Sequence, residues 1–166
     1  MNALHYLAQA LLYLPFMAFI GYFSNQPTYH PLGPDEALLR VSIRHAGERK
    51  EECRERSPEE LAKLSPNMRA PTVCPRERVP ITVELEIDGE VVFHQVAPPS
   101  GFARDLASTV HWRRPVPAGK HRIVARLNDV PREGFNHVHE ADIDLAPGAA
   151  LVIDFQADRG GFLLRP

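Results

Sequence analysis

The sequence predicts a mainly β protein: a single N-terminal transmembrane helix followed by an Ig-like, two-layer antiparallel β-sandwich with one short helix in an insertion. Three observations predict it. Residues Ala3 to Phe23 read ALHYLAQALLYLPFMAFIGYF, and no Asp, Glu, Lys or Arg precedes Asp35. About 20 such residues cross a ~30 Å hydrocarbon core as a helix. Beyond residue 37, apolar and polar residues alternate in short runs, the period of a strand buried on one face. The chain holds 16 prolines and 10 glycines, and most of them fall in short clusters between those runs, as turns do in all-β domains.

The chain divides into an anchor helix (1–23), an extended linker (24–36) and a sandwich domain (37–166), the last interrupted by an insertion (46–80). Of the 166 residues, roughly 140 follow the anchor, the size of one domain with one core. The formal net charge of −2 comes from nearly balanced basic and acidic residues. Arginines are scattered along the chain and only Lys50, Lys63 and Lys120 are lysines, so no clustered basic patch marks a nucleic-acid surface.

In the anchor, Tyr6 near one end and Tyr22 with Phe23 at the other fit the aromatic belts of two membrane interfaces, and Pro15 is tolerated within a spanning helix. A cleaved signal peptide is the competing reading. The segment lacks a basic n-region, and its exit, Ile20-Gly21-Tyr22-Phe23-Ser24-Asn25, offers no small-x-small cleavage site. No cysteine follows the apolar run until Cys53, which argues against a lipoprotein anchor. His5 and Gln9 lie one helical turn apart, on a face shared with Leu12 and Phe16. Polar groups inside a bilayer need partners, so this stripe points to contact with an integral membrane protein complex. Ligation of a partner's haem by His5 is the lesser reading, because a histidine at the end of the span is simply hydrated.

Ser24 to Pro34 contains three prolines and a glycine and reads as a stiff spacer. Leu39, Val41 and Ile43 then alternate with Arg40, Ser42 and Arg44 as the first strand. From Ala46 to Pro80 the alternation stops. Ser57-Pro58-Glu59-Glu60 supplies a helix N-cap, a proline at the first helical position and a glutamate at the third, opening a helix over 58–64. Cys53 and Cys74 bracket this loop and form a natural disulfide; the competing use of both thiolates is a zinc site with His45 or another histidine, although no compact ligand spacing is present. A disulfide belongs to an oxidising compartment, which places the domain outside the cytoplasm, on the periplasmic side of a bacterial inner membrane. Basic flanks give no independent orientation, since the first downstream is Arg40.

From Pro80, Ile81, Val83, Leu85 and Ile87 alternate with Thr82, Glu84, Glu86 and Asp88, and Asp88-Gly89 turns the chain into Val91 to Val96 as a hairpin. Further strands follow at 108–114, 121–127, 138–145, 151–155 and 162–165, with Pro117-Ala118-Gly119-Lys120 and Ala146-Pro147-Gly148-Ala149 as turns. Such a series makes a two-layer sandwich, with Ile123/Ala125/Leu127, Ala141/Ile143/Leu145 and Leu151/Ile153/Phe155 facing inward and Trp112 at the core edge.

The runs Val83-Glu84-Leu85-Glu86-Ile87-Asp88-Gly89-Glu90, Val116-Pro117-Ala118-Gly119-Lys120-His121-Arg122-Ile123 and Asp144-Leu145-Ala146-Pro147-Gly148 resemble the PEGA-type and related small β-sandwich modules of bacterial envelope proteins. The resemblance covers about residues 80–155 and implies a binding or structural module outside the cytoplasm, without catalysis and with no functional residues to transfer.

His137 and His139 are the most suggestive chemical pair, since residues i and i+2 of a strand share a face and can chelate copper or zinc, with His94, His111 or His121 on other strands as further ligands. The competing account leaves both imidazoles solvated on an edge strand beside Glu140 and Asp142. No Gly-x-Ser-x-Gly elbow, paired-carboxylate arrangement or glycine-rich phosphate loop appears, so a non-enzyme without cofactor or small-molecule substrate is expected. The leading expectation is a membrane-anchored accessory or assembly subunit of a bacterial membrane complex, electron transport among the possibilities. The alternatives are a metal-binding or metal-delivery protein and a module that binds envelope glycan or peptide.

Overall fold

A computed structural model describes residues 3–26, 32–132 and 134–165. Part of the expected linker, residues 27–31, lies outside the described residues. The chain forms two compact units, residues 1–33 and 34–166.

The first unit is helix α1, Ala3–Asn25, with Pro15 inside it and none of its residues buried. Among the described residues it is the one helix long and apolar enough to cross a membrane. At its end Ser24 Oγ donates to the Ile20 carbonyl at 2.7 Å, satisfying a carbonyl in the last turn.

The second unit carries strands β1 (Glu36–His45), β2 (Arg54–Glu55), β3 (Thr72–Val73), β4 (Ile81–Ile87), β5 (Glu90–Ala97), β6 (Ser108–Pro117), β7 (Gly119–Asn128), β8 (His137–Leu145), β9 (Ala150–Gln156) and β10 (Gly161–Arg165). Two four-stranded sheets are ordered β10-β9-β1-β6 and β5-β4-β7-β8, and a separate two-stranded ribbon of β2 and β3 lies in the insertion between β1 and β4. Their inward residues merge into one core. Leu39, Val41 and Ile43 of β1 and Leu151, Ile153 and Phe155 of β9 belong to the same buried cluster as Ile81, Val83 and Leu85 of β4 and Ile123, Ala125 and Leu127 of β7. Trp112 packs against the edge of this core, its ring 5.1 Å from that of Phe93.

The expected antiparallel arrangement holds except at one place: β1 pairs with β9 in parallel, with Leu39 beside Leu151 and Val41 beside Ile153. Apolar alternation states which face of a strand is buried and carries no information about its neighbour's direction. The β4/β5 turn follows its dipeptide closely. Asp88 and Gly89 both take positive φ, 52° and 88°, as a two-residue turn matched to strand twist requires.

The insertion is a small structure of its own. Helix α2 spans Pro58–Ala62, ending two residues before the expected Leu64, with Ser57 and Glu60 forming a reciprocal capping box. Ser65-Pro66 starts a 3-10 turn, Pro66–Met68, in the next residues. The ribbon of β2 and β3 was not foreseen, because two residues are too few to show alternation.

Candidate functional site

The histidines foreseen as metal ligands are scattered. His94 Nδ1 lies 3.2 Å from Glu84, His111 Nδ1 lies 3.2 Å from Ser42 Oγ, and His121 sits between Asp88 and the Pro117 carbonyl. His137 and His139 also part company. The imidazole of His137 turns to the end of the sheet, where Nε2 is 3.4 Å from Asp129 Oδ2, whereas His139 stands at the mouth of a groove between the sheets. Among the described residues, no group of three or more His, Cys, Asp and Glu is arranged to hold a metal ion.

What the fold does assemble at that end is a cluster centred on Asp129, a buried residue that follows β7. His45 Nε2, at the end of β1, donates to Asp129 Oδ2 at 2.6 Å. Two ligands of one tetrahedral ion would stand roughly 3.3 Å apart, so this contact is a hydrogen bond and not half of a metal site. Asn136 Nδ2 donates to Oδ1 at 2.6 Å, the Asp129 amide bonds Asn136 Oδ1 at 3.2 Å, and the Asp129 carbonyl accepts the Glu48 amide at 2.8 Å. The rings of His45 and His137 each lie 4.8 Å from Phe155, edge to face. Burial pushes the Asp129 carboxyl up, but hydrogen bonds from Asn136 and His45, with the charge of His137 nearby, hold it below its ordinary value. The cluster ties the two sheets together at one end. Sequence reasoning missed Asp129, since an aspartate after a strand reads as turn chemistry.

Cys53 and Cys74 are joined by a disulfide. They flank the Arg54/Val73 pair of the ribbon and so close the insertion at its neck. Inside that loop Arg54 forks onto Glu60 at 3.0 and 3.1 Å, Arg56 donates to the Ala70 carbonyl at 3.0 Å, and Arg69 donates to the Leu64 carbonyl at 3.0 Å. Neither α2 nor the 3-10 turn buries a residue, so this bracketed structure is held by cross-links and arginines. On α1, His5, Gln9, Leu12 and Phe16 are all exposed.

The outer faces of the sandwich differ in charge. One row across the first sheet reads Arg165, Val152, Arg40 and Arg113, with the two last directly paired, and none of these arginines has an ion pair among the described residues. On the second sheet Arg126 bonds Glu84 at 2.9 Å and Glu86 at 2.6 Å, and Arg122 bonds Glu140, while β8 also presents Asp142 and Asp144. Along the side where β8 faces β9 and β10, the sheets leave a groove of about 470 Å³ lined by Ala141, Ile143, Leu145, Leu151 and Leu164. The alternation places those residues inward as expected, but Ala141 and Ile143 are only half covered because no strand continues the sheet beyond β8. Compared with known proteins, the chain matches no family model and no curated protein.

Proposed function

We propose that this chain is a membrane-anchored accessory or assembly subunit, held in the bilayer by α1 and acting through protein contacts made by the helix and the sandwich. The observation that carries this reading is α1 itself: 23 residues without a charged side chain and without a buried one. An apolar surface of that extent needs lipid or protein around it. Gln9, one turn further into the span than His5, puts on that stripe a polar group that lipid cannot satisfy, which favours a neighbouring helix on that face. The disulfide supports placement of the domain in an oxidising compartment, the periplasm of a bacterial cell. The turn-level resemblance to PEGA-type envelope modules points the same way, toward a module that binds and does not catalyse.

Extraction in mild detergent followed by native electrophoresis tests the reading. The chain is expected in a band well above its own detergent-bound mass, together with at least one integral membrane protein. Migration strictly alone would overturn it.

A further inference from the structure

Four strands form the rims of the two sheets, and the sequence guards them unequally. β6 carries Pro115 and Pro117, β10 is only five residues long, and β5 faces a register break at Leu85/Glu86. Prolines, short length and bulges are the usual means of preventing an edge from pairing further. β8, by contrast, is a nine-residue edge strand, HVHEADIDL, without proline, glycine or bulge. Among the described residues its pairing is confined to β7, so its other side presents a row of backbone donors and acceptors.

Two features specify what would pair there. On the inward side the edge borders the apolar groove over Ile143, Leu145, Leu151 and Leu164. On the outward side it presents Glu140, Asp142 and Asp144. On β7 Arg122 and Lys120 stand opposite Asp142 and Asp144 in register, but Arg122 bonds Glu140, and neither aspartate makes an ion pair among the described residues. A second copy of β8 would set these carboxylates against their own kind, which cross-strand pairing disfavours.

We infer that the β8 edge and its groove form a docking site for an extended peptide segment of a protein partner, one that alternates apolar and basic residues. The segment adds as a fifth strand to the β5-β4-β7-β8 sheet. Its apolar side chains enter the groove, and its basic side chains lie opposite Asp142 and Asp144. Main-chain hydrogen bonds supply the binding common to any strand, and the alternating pockets and charges supply selectivity. This rests on the reading of the sandwich as a contact module and names the chemistry of one contact.

The full chain in neutral phosphatidylcholine nanodiscs provides the test, with a fluorescent ten-residue peptide alternating lysine and valine as probe. The alternating peptide is expected to bind by anisotropy, and a block peptide of the same composition to bind far less. D142N/D144N, which changes two exposed side chains, is expected to weaken binding roughly fivefold or more, the effect of losing two cross-strand charge pairs. Methylation of alternate peptide nitrogens on the β8-facing side is expected to abolish binding. Absence of binding by the alternating peptide, equal binding of the block or N-methylated peptide, or an unchanged affinity in D142N/D144N would each overturn the assignment. Self-association of the chain that β8 substitutions abolish, without peptide binding, would overturn it in favour of a second copy. A chain that binds the peptide yet migrates alone on native electrophoresis would instead remove the accessory-subunit reading and leave the edge assigned.

Discussion

His45 Nε2 and Asp129 Oδ2 meet at 2.6 Å, joining the last residue of β1 in one sheet to the residue after β7 in the other. Both side chains are largely shielded, with relative exposures of 16% and 12%. Asp129→Ala removes the acceptor for His45 and for Asn136 and leaves both donors unpaired. It is expected to lower unfolding stability by about 2–4 kcal/mol in denaturant melts. The folded carboxyl titrates below its ordinary value of 3.8, so its contribution is present above that pH and is lost as pH falls through the depressed folded value. Asp129→Asn should therefore flatten the acid limb of a stability-against-pH curve.

His121 supplies the opposite pH dependence. Its Nδ1 lies 2.6 Å from Asp88 Oδ2 and its Nε2 lies 2.9 Å from the Pro117 carbonyl, so both ring nitrogens face acceptors. Only the imidazolium can donate to both. The hydrogen bond that His121 donates to Asp88 raises the His121 pKa above the ordinary 6.5 against the opposing effect of burial. The resulting stabilisation is complete below about pH 6.5 and is lost as pH rises through the folded value. NMR titration of the ring protons should show a raised midpoint that Asp88→Asn returns toward 6.5.

Gly47 is required by close approach of the backbone. A Cβ at that position would lie 2.5 Å from the Val79 carbonyl oxygen and 3.3 Å from that of Asp129. Neither is a flexible side-chain end, so Gly47→Ala must displace the backbone where the insertion meets the sandwich. A loss of about 2–3 kcal/mol in thermal or chemical unfolding is expected, the usual scale of overpacking.

Ser108 runs the other way. It is fully buried, and its hydroxyl has no hydrogen-bond partner among the described residues. Ser108→Ala removes an orphaned polar group and keeps the volume nearly constant, so a gain of about 1 kcal/mol is expected in the same melts.

The disulfide acts on the insertion. Because α2 and the 3-10 turn bury nothing, reduction is expected to expose residues 54–73 to proteolysis and hydrogen exchange while the sandwich strands keep their protection. Thiol labelling of intact cells should find Cys53 and Cys74 unreactive until reductant is added. Free thiols there would argue against both the cross-link and the placement outside the cytoplasm.

How far the sequence could be read follows from the range of each signal. Ile81 to Ile87 and Asp88-Gly89 are local patterns, and both the strand and its turn appear where expected. The capping box at Ser57 and Glu60 is equally local and equally visible. Contacts between distant segments were not visible. His45 and Asp129 are separated by 84 residues, and nothing near either one names the other. The same limit explains His137 and His139: period 2 puts them on one face, but where each imidazole turns depends on Asp129 at the end of the sheet and on the open groove beside β8. The half-covered state of Ala141 and Ile143 follows from β8 being an edge, a property of topology that alternation does not encode.

On the proposed function, α1 packs against another membrane protein through its polar stripe. Site-specific photocrosslinking in living cells reads out this packing, with the reactive side chain placed at Gln9 on the stripe or at Leu11 on the opposite face. An adduct between the chain and an integral membrane protein is expected from position 9, with little or none from position 11. Adducts of equal yield from both positions, or none from either, would contradict it.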